Sequence, residues 1–238
     1  MRASLHGRCG LVRLADLRTA AGAARLAWAA MRSREYHEGL WSGVPEGLAP
    51  SDFALRRRFL LERVKAGQRA LDVGCGEGCF AAELARAGLQ VVAVDVAEEP
   101  LRRARARHPE LDLRLIDGEG KWELPDASFD VLWAGEVLEH VADTAAWLSE
   151  ARRVLRSGAS LLLSTPAHEP LALLHLALSR RAFARHFDPR GDHLRFYARE
   201  TLTPLLEDFG FHEVEVRAAG GPPGVRRVLL AQAIRSRF

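Results

Sequence analysis

Along the chain, short unbroken apolar runs alternate with stretches whose apolar positions recur at helical spacing, the pattern of buried strands interleaved with helices. Strands are expected over 68–73, 90–95, 111–116, 128–133, 159–164, 211–217 and 225–234. Helices are expected over 79–87, 98–107 and 143–155, around 170–184 as an apolar segment, and over 199–209. Such alternation predicts an α/β chain whose mostly parallel sheet is covered on both faces. Between the last two strands, Ala218-Ala-Gly-Gly-Pro-Pro-Gly224 suits a hairpin-like reversal.

The first strand runs into Leu71-Asp-Val-Gly-Cys-Gly-Glu-Gly-Cys-Phe80, a Gly-x-Gly-x-Gly turn. Glycines there permit positive φ and leave room for a ligand against the backbone. Open α/β sheets bind ligands at the carboxyl ends of their strands, where this turn falls. The second strand ends in Asp95, twenty-one positions after Gly74, where an acid suits ribose hydroxyls. A dinucleotide fingerprint also needs glycine five positions after Gly74, and that residue is Cys79. Asp72 inside the strand end would repel a pyrophosphate but attract an ammonium or sulfonium. The charge pattern thus favours S-adenosylmethionine over a nicotinamide dinucleotide.

With these features in order, the chain resembles the class I S-adenosylmethionine-dependent methyltransferases over roughly Leu60 to Ile234. Further motifs in register are Val94-Asp-Val, Leu115-Ile-Asp-Gly-Glu, Leu124-Pro-Asp-Ala-Ser-Phe-Asp-Val-Leu-Trp and Glu136-Val-Leu-Glu-His-Val. Leu155-Arg-Ser-Gly-Ala-Ser-Leu-Leu-Leu-Ser-Thr-Pro completes the set. The resemblance implies a Rossmann-like, doubly wound, seven-stranded sheet with an antiparallel last strand. It implies that Asp72, Gly74, Cys75 and Gly76 surround the methionine part of the cofactor. Asp95 would hold the ribose, Val96 would lie against the adenine, and Asp117 and Gly118 would meet the adenine edge. For Asp117, a plain Asp-Gly turn remains an alternative.

The 238 residues, 48% hydrophobic and 27% charged, suit one such domain over 51–238 with a helical extension over 1–50 acting as a lid. Tyr36, His37 and Trp41 are its candidate contacts with the site. Three cysteines without Cys-x-x-Cys spacing make neither a disulfide framework nor a zinc site, so a reducing, cytoplasmic setting is expected. Residues 1–34 hold seven arginines against the single acid Asp16, a balance of +6 in a chain whose formal total is +3. Such a start fits a transit peptide, a membrane-surface helix, a solvated helix or an overlong gene-start assignment. No segment reaches the roughly 18 apolar residues of a membrane-spanning helix.

Because a sulfonium methyl is already activated, the protein must mainly align the acceptor and take its proton. Glu136-Val-Leu-Glu139-His140 follows the fourth strand, and spacings of three and four would place its three polar residues on or near one helical face. Two carboxylates and an imidazole form a candidate site for Mg²⁺ or a similar divalent cation. His193 in Asp192-His-Leu-Arg-Phe-Tyr supplies another imidazole. The arrangement resembles the metal site of ubiquinone-pathway and small-RNA 3′-terminal O-methyltransferases, with Glu136, Glu139, His140 and His193 as ligands. Without a metal, His140 or His193 is the candidate general base; the plain alternatives are helix-end, solvated or packing roles for these residues.

Between about 166 and 195, a candidate lid insertion joins an apolar segment to Arg180, Arg181, Arg185 and His186. Apolar followed by basic suits a lipophilic acceptor or peripheral membrane contact, and a packed lid helix is the plainer reading. The arginines before residue 35 lack the interleaved aromatic residues of single-strand binders, so neither RNA nor DNA is an expected partner. O-methylation of a small-molecule hydroxyl is the leading expectation. N- or C-methylation of a metabolite, or a non-catalytic S-adenosylmethionine-binding role, stays open, as does the oligomeric state.

Overall fold

In a computed structural model that describes residues 34–118, 120–188 and 191–237, the strands are β1 (Arg69–Val73), β2 (Gln90–Asp95), β3 (Asp112–Leu115), β4 (Phe129–Gly135), β5 (Leu155–Pro166), β6 (Phe211–Ala219) and β7 (Val228–Arg235). The charged start over 1–33, with its targeting and membrane readings, lies outside the described residues. Helices are α1 over 34–43, α2 (Phe53–Leu61), α3 (Cys79–Arg86), α4 (Glu98–Arg107), α5 (Thr144–Val154), α6 (Pro170–Leu178), α7 (Arg180–His186) and α8 (Arg199–Asp208).

One sheet orders the strands β3-β2-β1-β4-β5-β7-β6. The first five run parallel, and β7 inserts antiparallel between β5 and β6. This is the expected Rossmann-like, doubly wound sheet. Successive side chains point to opposite faces, and the strands are apolar toward both. In β4, Leu132 and Ala134 join a layer with Trp147 and Leu148 of α5 and Leu202 and Leu206 of α8. Val131 and Trp133 join the other, with Phe59 and Leu60 of α2 and Phe80 and Leu84 of α3. The chain winds outward from β1 to β2 and β3, then returns to β4 on β1's other side, so the switch point lies between the carboxyl ends of β1 and β4.

Three local expectations are corrected. The segment after β4 is not a helical face: Glu136 takes a left-handed backbone (φ 59°), its amide donates to the Ser164 carbonyl at 2.9 Å, and only a 3-10 turn over Leu138–His140 follows. Pairing with β5 is thus prolonged beyond the strand, at the expense of the helix. The apolar helix over 170–184 is two helices, because the Ser179 hydroxyl accepts the Ala182 amide at 3.3 Å and starts α7 afresh. Nor is the first of these packed: α6 has no buried residue.

Candidate active site

Gly74, Gly76 and Gly78 all take positive φ. At Gly74 a Cβ would fall 2.5 Å from Val137 Cγ2, and at Gly76 it would meet the Trp41 ring at 3.0 Å. The turn is therefore glycine both for its conformation and for the close approach of two apolar side chains. Gly74 and Cys75 donate their amides to the Val94 carbonyl at 2.8 and 3.0 Å, tying the turn to the end of β2.

Above the switch point lies a cavity of about 220 Å³. On one side it is lined by Val73, Gly74, Asp95, Val96, Ile116 and Gly118; on the other by Glu136, Val137, His140, Val141 and Asp192. Trp122 and Trp147, ring edge to ring face with centroids 5.6 Å apart, add aromatic wall. His37, Leu40, Trp41 and Val44 close it from α1 and the loop after it.

Of the residues read from the sequence for the cofactor, Gly74, Asp95, Val96 and Gly118 line this cavity. Asp72 and Cys75 lie buried below its floor, Gly76 sits under Trp41, and Asp117 is exposed beside it. Asp95 accepts the Gly76 amide at 2.9 Å and the Ala97 amide at 3.0 Å. Burial nevertheless raises its pKa, these hydrogen bonds opposing the shift. Burial and the Asp95 charge push the Asp72 carboxyl up to about 8. Of the lid contacts, His37 and Trp41 reach the cavity, whereas Tyr36 is half exposed and lays its ring edge against His37.

The 3-10 turn gathers the acceptor-side residues. Leu194 and Arg195 donate their amides to the Glu139 carbonyl at 2.8 and 3.1 Å, and the Tyr197 hydroxyl donates to the Leu138 carbonyl at 3.3 Å. These bonds pin 194–197 to the turn and set His193 against His140, ring centroids 4.9 Å apart. Among the described residues, Glu139, His140 and His193 offer ligand atoms all within 4.8 Å of one another. Glu136 stands apart from that trio and accepts the Ser164 hydroxyl at 3.0 Å.

Glu139 is 1% exposed, the opposite of a solvated residue. One of its oxygens accepts the Thr165 hydroxyl at 3.0 Å; the other is buried without a partner, 3.9 Å from His140 Nε2. Burial, then the Glu136 charge, raises the Glu139 pKa. Burial lowers that of His140, against the pull of Asp192, whose carbonyl lies 3.0 Å from Nδ1. An orphaned buried carboxylate oxygen facing two imidazoles fits a divalent cation, and nitrogen donors favour a borderline metal over Mg²⁺.

Arg56, not singled out from the sequence, is 2% exposed beneath this acidic group. Its guanidinium lies 4.9 Å from the Phe80 ring and feels the charges of Glu136, Glu139 and Asp72. Nothing in the run Arg56-Arg57-Arg58 marks the first of them as the buried one. Glu77 and Arg103 were also missed; they form a buried ion pair behind the glycine turn at 3.2 Å.

The turn without a third phosphate-type glycine, set over two buried acids, suits one cationic adenosyl group. Such a site is what the resemblance to the S-adenosylmethionine-dependent methyltransferases implies. A family model described as "Methyltransferase domain" matches residues 47–216. A ubiquinone biosynthesis O-methyltransferase of Hahella chejuensis is 38% identical over 144 residues, 58% of this chain and 60% of that protein. A protein named as a probable S-adenosylmethionine-dependent methyltransferase of Mycolicibacterium smegmatis is 36% identical over 175 residues, 71% and 63% respectively. The matches thus span under two thirds of those relatives' length. In fold, the chain is similar to a Haemonchus contortus phosphoethanolamine N-methyltransferase 2 solved with S-adenosylhomocysteine, at a TM-score of 0.65, 20% identity and coverage of 81% of this chain and 55% of that one. The chain belongs to the methyltransferase domain family, and S-adenosylmethionine is its cofactor.

Proposed function

We propose that this enzyme methylates a hydroxyl of a small, lipophilic acceptor. The observation that carries the reading is the convergence of Glu139, His140 and His193 on one another, with His140 lining the cavity whose other side is the glycine turn. A divalent cation held by these three would, when bound, lower the pKa of an acceptor hydroxyl placed on it. Around it, this chain's own residues do the rest. Thr165 orients the Glu139 carboxyl by donating to one of its oxygens, leaving the other for the cation, and the Asp192 carbonyl fixes the His140 ring. Trp122, Trp147, Val137 and Val141 supply an apolar wall for alignment and exclusion of water. The names of the ubiquinone-pathway relatives support oxygen as the methylated atom.

The lid insertion supports a lipophilic acceptor drawn from an anionic membrane surface. Leu171, Leu173, Leu174 and Leu178 of α6 and Phe183 of α7 are all more than 40% exposed. Exposed Arg180, Arg181 and Arg185 lie on the adjoining α7. Exposed apolar groups beside cations complement a bilayer of acidic lipid. Among the described residues, no helix is long and apolar enough to cross a membrane.

The test is methyl transfer from labelled S-adenosylmethionine to a panel of prenylated and simple ortho-dihydroxy aromatics, with protein stripped of metal and then reconstituted. Transfer to a hydroxyl that stops on chelation and returns with a divalent cation is the expected result. Full activity after stripping would remove the metal; transfer to an amine or carbon acceptor alone would overturn O-methylation.

A further inference from the structure

Trp41 and Val44 line the cavity, yet what holds them there lies outside it. Glu77, the non-glycine between Gly76 and Gly78, is 4% exposed, and Arg103 of α4 is 7% exposed. Neither side chain lines the cavity. The Arg103 guanidinium donates to the Trp41 carbonyl at 2.9 Å, the Val44 carbonyl at 2.8 Å, Glu77 at 3.2 Å and Glu99 at 2.8 Å. Glu77 also accepts the Gly47 amide at 2.9 Å and pairs with Arg107. Further back, Glu38 of α1 accepts the Glu98 and Glu99 amides at 2.5 and 3.1 Å, at the start of α4.

A buried ion pair is retained at a cost unless its hydrogen bonds are complete. Here they are complete, and they join the glycine turn to the segment 41–47 rather than one core element to another. The planar fork of arginine suits this task, since it reaches two carbonyls and two carboxylates from one rigid group. With the pair closed, Trp41 is pressed against Gly76.

We propose that Glu77 and Arg103 are positioning residues: they latch the 41–47 segment over the bound cofactor and set how fast S-adenosylmethionine and S-adenosylhomocysteine exchange. The proposal rests on the cofactor assignment and needs no particular acceptor. Cofactor release opens the latch, so the pair acts on cofactor residence through Trp41 and leaves the acceptor's KM at saturating cofactor unchanged.

The experiment measures release of labelled S-adenosylmethionine by chase, with affinity by titration calorimetry, in the full chain carrying Arg103→Lys, Trp41→Ala or both. Lysine keeps the charge and loses the fork. Arg103→Lys is expected to release cofactor roughly tenfold faster, the effect of one lost charge-assisted hydrogen bond, and Trp41→Ala, which removes the ring held over Gly76, to release it at least as fast. The double variant should be no faster than the faster single, because both changes undo one closure. Glu77→Gln, which keeps shape and removes charge, is the second variant should Arg103→Lys not fold, and it is expected to behave alike. Unchanged release in the folded variants, or effects that simply multiply, would overturn the latch. Failure of the unsubstituted chain to bind S-adenosylmethionine would overturn the cofactor assignment and the latch with it.

Discussion

The Thr165 hydroxyl donates to Glu139 at 3.0 Å and leaves the second Glu139 oxygen buried and unpartnered beside His140. Thr165 itself is 2% exposed, so water does not replace it. Its role toward a bound cation would be to fix the carboxylate's orientation. Thr165→Val preserves volume and removes that donor, and is expected to weaken divalent-cation binding about tenfold to a hundredfold. Affinity for S-adenosylmethionine should stay within about twofold, a change of under ~0.5 kcal/mol. Chelator competition and calorimetry on one sample check both; equal cation affinity in the variant would remove Thr165 from the site.

Gly74→Ala is expected to abolish cofactor binding and lower stability. A left-handed backbone costs an alanine about 1–2 kcal/mol, and the new Cβ would lie 2.5 Å from Val137 Cγ2. The two contributions separate. Adding Val137→Ala relieves the contact but not the backbone, so the double variant should recover part of the thermal stability. Melting curves of the two variants decide it, and no recovery would assign the whole loss to φ.

On α6, Leu174→Asp and Leu178→Asp together should cost little stability, because no residue of that helix is buried and exposed substitutions usually fall within about 0.5 kcal/mol. Sedimentation with phosphatidylglycerol vesicles is the sensitive readout. The unsubstituted chain is expected to pellet with them and the double variant to stay in the supernatant, as should both with phosphatidylcholine. Equal behaviour of the two proteins would leave the exposed leucines without a membrane role.

The sheet and the glycine turn were legible in the sequence because both depend on short-range signals. Buried strands need apolar runs such as Gln90–Asp95, and a turn under Val137 needs glycine at 74. The cluster after β4 was legible by residue but not by shape. Glu139, His140 and His193 do converge, yet through a 3-10 turn held by Ser164, Leu194 and Arg195, contacts between segments that no local spacing encodes. Glu136 fits the helical spacing and still falls outside the trio, because its backbone is pulled toward β5. Arg56 and Arg103 were hidden for a different reason. Burial of an arginine depends on distant carboxylates, here Glu136 for one and Glu77 for the other, and neither helix carries a mark of them.

Asp72 gives a pH dependence whose sign can be worked out. Burial, then the Asp95 charge, raises its folded pKa to about 8, whereas an unfolded chain holds an aspartate near about 3.9. The folded protein therefore prefers the protonated acid, and ligand-free stability should fall as pH rises through the window between those values. A sulfonium and ammonium placed above Asp72 favour its ionised form, so cofactor binding should release a proton and tighten as pH climbs toward 8. Calorimetry of S-adenosylmethionine binding in phosphate and in Tris measures that proton as a buffer-dependent enthalpy. Asp72→Asn should abolish the buffer dependence, weaken binding and flatten the fall of melting temperature with pH. Identical enthalpies in both buffers for the unsubstituted chain would show that Asp72 keeps its protonation state when the cofactor binds.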